Sequence, residues 1–127
     1  SSDLGGSTPG TTDGFFYGEN GAAATQTVTT PYASDPFDSV FAVNSGSTVV
    51  EMNLASIAIG SYPINANNAF TYIKPGQANM FIASAGTVVI TANAAGKLTG
   101  TFSITAGSGI AGVTSVSGRF KNITINP

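Results

Sequence analysis

Cysteine, histidine and tryptophan are absent from this 127-residue chain, and charged residues make up only 8% of it. Without cysteine there is no disulfide, no thiolate nucleophile and no sulfur-ligated metal. Without histidine as well, Ser–His and Cys–His catalysis and zinc-activated water are closed. Six acids against four bases, with an isoelectric point near 4.5, leave no basic stripe to neutralise phosphates. Nucleic acid is therefore not an expected partner. No apolar run reaches the ~18 residues that a membrane-spanning helix needs. With so few charges, solubility rests on Thr, Ser, Asn and backbone groups.

What is present is a period of two. Leu98, Gly100, Phe102, Ile104 and Ala106 alternate with Thr99, Thr101, Ser103 and Thr105, which describes a strand with one dry and one wet face. The β-branched run from Thr87 to Ala92 precedes it across Asn93–Lys97, a short loop containing Gly, so the two runs predict a hairpin. Val50, Met52 and Leu54 alternate with Glu51 and Asn53 in the same way. Shorter strand-like runs are Phe15–Tyr17, Val40–Val43, Phe70–Ile73 and Met80–Ala83.

The closing strand, from Val113 to Ile125, has a parity fault. Val116, Gly118 and Phe120 share one face, whereas Ile123 and Ile125 fall on the other. A bulge at Lys121–Asn122 would restore both isoleucines to the core. Three alanines within Gly21–Thr27 allow at most a turn of helix. The fold class is thus all-β: an antiparallel sandwich, or a closed or partly open barrel, of about eight short strands. Residues 1–12, rich in Ser, Gly and Thr, are expected to be a flexible tether, and residues 13–127 a single β-domain.

The run Gly86–Gly107, containing GTVVIT and GTFSITA, with the later Gly118-Arg119-Phe120, resembles an uncharacterised family of small exported lipoproteins from Bacteroidetes. Asn20-Gly21 and Gly60-Ser61-Tyr62 fit that family's first hairpin and central segment. Where members usually carry Trp after the Asn-Gly pair, Ala22–Ala24 stand here. The resemblance implies export and lipidation of a cysteine upstream of Ser1. It also implies residence at the outer membrane, cell surface or periplasm of a Gram-negative bacterium, with membrane contact only through that anchor. It brings no activity and no site residues. Asp38-Ser39-Val40 further resembles the short O-glycosylation pattern of exported Bacteroidetes proteins, with Ser39 as acceptor.

Candidate chemistry is sparse. Asp35 and Asp38 are the closest acids and could offer oxygens to a hard cation, but Asp-Pro turn chemistry explains them as well. A carboxylate pair drawn from Asp13, Glu19, Asp35, Asp38 and Glu51 would be needed for glycoside hydrolysis, the one enzymatic alternative. The chain is otherwise expected to be non-catalytic and free of cofactors. Tyr17, Tyr32, Phe37 and Tyr62 are the candidate binding aromatics, with Asn67 of the run Asn65–Asn68 as a candidate polar contact. The expected function is a lipid-anchored surface module that binds an extracellular glycan or protein. The alternative is a small barrel carrying an apolar ligand.

Overall fold

Side chains alternate in and out along nearly every segment, and the chain takes the consequence of that pattern. A computed structural model describes residues 12–127, so the tether expected at Ser1–Thr12 lies outside the described residues except for Thr12. Ten strands form, with no helix among the described residues. They are β1 (Gly14–Glu19), β2 (Gln26–Thr27), β3 (Thr30–Ser34), β4 (Ser39–Asn44), β5 (Ser47–Asn53), β6 (Gly60–Pro63), β7 (Ala69–Tyr72), β8 (Phe81–Ala94), β9 (Lys97–Ser108) and β10 (Val116–Asn126). No turn of helix forms within Gly21–Thr27, which instead supplies a turn and the short β2.

Seven strands close a barrel in the order β3–β4–β5–β7–β8–β9–β10, with β10 returning to β3. Every pairing is antiparallel except the β3–β10 seam, where Tyr32, Ala33 and Ser34 run parallel to Thr124, Ile125 and Asn126. Strands β1, β2 and β6 lie outside the closed path: β1 flanks β10, β2 flanks β1, and β6 flanks β8.

Closure depends on two long strands that change partner midway. The register of β10 against β9 slips between Phe120 and Ile123, and Asn122 there adopts φ 52°. This is the bulge that the parity fault predicts, and it leaves Ile123 3% exposed and Ile125 packed against the core. It is also where β10 passes from β1, paired through Lys121, to β3, paired from Thr124. Strand β8 repeats the device. Its register against β9 slips around Ala83–Gly86, between Ile82 beside β7 and Thr87 beside β6. A bulge bends its strand and increases local twist, so each one turns the sheet where its neighbour changes.

The interior is filled by rings that lie over glycines. Gly118 pairs with Phe102 and Gly100 pairs with Phe120 across the β9–β10 ladder. A Cβ at Gly118 would meet the Phe102 ring at 2.8 Å and the Phe16 carbonyl oxygen at 2.0 Å; one at Gly100 would meet the Phe120 ring at 2.8 Å. Phe15 stacks on both Phe102 (5.4 Å) and Phe120 (5.9 Å), and Phe70 reaches Phe102 at 5.4 Å. Burying each such ring contributes about 2–3 kcal/mol.

Gly118→Ala should therefore cost about 3 kcal/mol or more, because two backbone strands would have to part. Gly46→Ala should cost only about 1 kcal/mol, since that glycine (φ 85°) faces open space and only its left-handed backbone resists. Urea unfolding of the two variants side by side measures the difference.

Candidate functional site

The outer surface of β3, β4 and β5 carries the most developed polar and aromatic array. On β4, Val40 and Ala42 are fully buried, which turns Phe41 outward; on β3, buried Ala33 does the same for Tyr32. Tyr32 and Phe41 are direct cross-strand partners, and their half-buried rings stack at 5.1 Å with 22° between planes. Such pairs fix each other's rotamers as well as adding attraction.

The register extends this pair into a transverse row of outward residues on five neighbouring strands. Glu51 on β5 pairs with Phe41, Phe41 with Tyr32, Tyr32 with Thr124 on β10, and Thr124 with Lys97 on β9. Both charged ends are steadied by neighbours. Asn53 Nδ2 donates to Glu51 Oε2 at 2.9 Å, and Lys97 Nζ donates to Thr124 Oγ1 at 3.3 Å. One step down the strands lies a second row, Asn126–Ser34–Ser39–Asn53. The Ser39 hydroxyl sits 2.8 Å from both Asn53 Oδ1 and the Phe37 carbonyl oxygen. Phe37, 75% exposed on the β3–β4 turn, stands below that row.

Of the residues singled out from sequence, Tyr32 and Phe37 belong to this face. Tyr17 does not: it is 4% exposed and packs in the core against Tyr72, so it offers no binding surface. Tyr62 is half-buried beside β8, with its hydroxyl donated to the Ala58 carbonyl at 2.5 Å. Asn67 is exposed on the β6–β7 turn, where its N–H donates to Asn65 Oδ1. Asn68 is buried, bridging the Ala55 N–H and the Pro63 carbonyl, so the asparagine run is chiefly a turn.

Asp35 and Asp38 close the β3–β4 turn, with the Asp38 N–H on the Asp35 carbonyl at 3.3 Å and Asp38 at φ 48°. Among the described residues no three metal-ligating side chains gather. Ser39 is fully buried, so its hydroxyl is not open to glycosylation in the folded barrel. Phe41, Asn53, Lys97 and Thr124 are the functional candidates that sequence reasoning missed, and it singled out Glu51 only as a member of a carboxylate pair. Parity alone marks Phe41, because it stands between the core residues Val40 and Ala42; the row that joins it to Lys97 requires the register.

A second cluster lies at the end of β1. The Tyr72 hydroxyl donates to Glu19 Oε2 at 2.5 Å, and Lys74 Nζ lies 3.2 Å from Glu19 Oε1. Burial first, and then the hydrogen bond to Glu19, hold the Tyr72 phenol well above its ordinary pKa; burial also raises that of Tyr17. This cluster ties β1, which flanks the closed path of strands, to β7, which lies on it.

No protein-family model, curated protein or solved structure matches the chain.

Because the folded state holds both phenols protonated, their contribution to stability should be fully present below the ordinary tyrosine pKa of 10.0 and should be lost as pH rises beyond it. Alkaline unfolding followed by phenolate absorbance checks this: Tyr17 and Tyr72 should ionise only as the barrel opens. Tyr72→Phe should cost about 1–2 kcal/mol at neutral pH and reduce the alkaline loss.

Proposed function

We propose that this domain is a non-catalytic module of a bacterial cell envelope, exported and lipid-anchored, that holds an extracellular glycan or protein against the outer face of β3–β5. The stacked Tyr32–Phe41 pair carries this reading. Two large rings stand half-exposed on a rigid sheet, with a carboxylate and an amide already oriented beside them. Rings locked by cross-strand packing bind with little further loss of conformational entropy.

Two other features support a binding module over the alternatives. The core is occupied by its own side chains, with Phe15, Phe102, Phe120 and Phe70 in mutual contact where a carrier would hold its ligand. Three of the candidate carboxylates have local partners: Glu19 has Tyr72 and Lys74, Glu51 has Asn53, and Asp13 accepts from Asn122. A glycosidase instead aims two acids at one bond from opposite sides of a cleft.

A glycan and polysaccharide array with the purified domain, followed by titration of the best ligand, tests the reading. Tyr32→Ala and Phe41→Ala should each weaken binding about tenfold or more, with the melting temperature little changed. Thr101→Ala, on the outer face of β9, should leave affinity unaltered. Undiminished binding by both aromatic variants would remove the face from consideration.

A further inference from the structure

The transverse row has a polarity of its own. Read across five strands, it presents a carboxylate (Glu51), two stacked rings (Phe41 and Tyr32), a hydroxyl (Thr124) and an ammonium (Lys97). Four inter-strand steps of ~4.8 Å place the backbones of Glu51 and Lys97 about 19 Å apart along the curved surface, with the Lys97 ammonium leaning back over Thr124. That separation is too long for an ion pair between them, and each is held by a neutral neighbour rather than by an opposite charge: Glu51 by the Asn53 amide, Lys97 by the Thr124 hydroxyl. Among the described residues the other bases lie elsewhere. Lys74 is joined to Glu19, while Arg119 and Lys121 stand on the part of β10 that faces β1, with Arg119 over the Phe16 ring at 4.5 Å. Asp35 and Asp38 lie below the row, on the turn that carries Phe37, and add negative charge there.

Each end of the row selects a different group. A ligand amine beside Phe41 would meet both the carboxylate and the negative face of a ring. A ligand carboxylate at the other end would meet the Lys97 ammonium and the Thr124 hydroxyl. The rings between them, stacked face to face with each other, offer apolar area to a sugar. We infer that the ligand is an oligosaccharide bearing both amino and carboxylate groups, lying across the strands with its amine toward Glu51 and its carboxylate toward Lys97. This inference rests on the reading of the face as a glycan-binding surface and names the class of glycan.

The test uses one backbone in four charge states. A hexasaccharide of alternating glucosamine and glucuronate is prepared with free amines, N-acetylated, carboxyl-reduced, and with both groups masked, and each form is titrated into the domain by calorimetry. The zwitterionic form should bind about tenfold tighter than the doubly masked one, each charge contributing about threefold, as exposed ion pairs do. Glu51→Gln should abolish the preference for the free amine and leave that for the carboxylate, and Lys97→Gln should do the reverse. Tyr32→Ala should weaken all four forms alike, and added salt should compress the differences among them. Equal affinity for all four forms, with binding still lost in Tyr32→Ala, would overturn the charge assignment while leaving the aromatic face as the site. Absence of binding to every form would overturn the inference, and the array would then judge the face by itself.

Discussion

The barrel depends on rings that occupy the space left by glycines on the neighbouring strand. Gly118 opposite Phe102 and Gly100 opposite Phe120 form a reciprocal pair, and the Phe81 ring covers Gly107 in the same manner. A glycine in a strand ordinarily weakens it, through lost packing and a more flexible unfolded chain. Here each glycine removes a Cβ where a ring must pass, and the buried ring area more than offsets that weakness. With rings of this size, β1 can lie against β10 and the barrel can close without a disulfide or a helix to cover it.

The bulges convert that packing into a closed surface. Once the aromatic core sets which faces of β9 and β10 point inward, Ile123 can reach the interior only if one residue is left unpaired. Asn122 takes that role, with its N–H on the Thr99 hydroxyl and its carboxamide on Asp13. The same irregularity frees the edge of β10 for the parallel seam with β3. That seam places Thr124 beside Tyr32 and so joins the hairpin that carries Lys97 to the hairpin that carries Phe41. A feature required by core parity thus determines which surface residues become neighbours.

The outer row gains its rigidity from the same source. Tyr32, Phe41 and Glu51 each alternate with a fully buried residue, so their outward positions are held by the core beneath them. The buried Ser39 hydroxyl holds the exposed Asn53 side chain, whose amide donates to the Glu51 carboxylate and keeps it in place without a nearby cation to neutralise it. Rigid scaffolds of this kind lower the entropic cost of binding and allow a few side chains to define a ligand.

By itself, the sequence determined the all-β class, the β8–β9 hairpin and the Lys121–Asn122 bulge, because each follows from a local period of two and the cost of exposing isoleucine. It also determined what chemistry is closed, since cysteine and histidine are absent. Tertiary structure alone decided the rest. Strands β3 and β6 carry too few apolar residues to declare themselves; β3 is held between β4 and the distant β10, and β6 by β8. Tyr17 could not be told from a surface tyrosine, because three aromatics in a row leave the inward face open until β10 and Tyr72 pack against it. Lys97, Thr124, Tyr32, Phe41 and Glu51 come from three separate stretches of chain, and only long-range register brings them into one row. Side-chain alternation is a property of neighbouring residues, whereas a site built across strands is a property of pairing, and pairing is settled when the core closes.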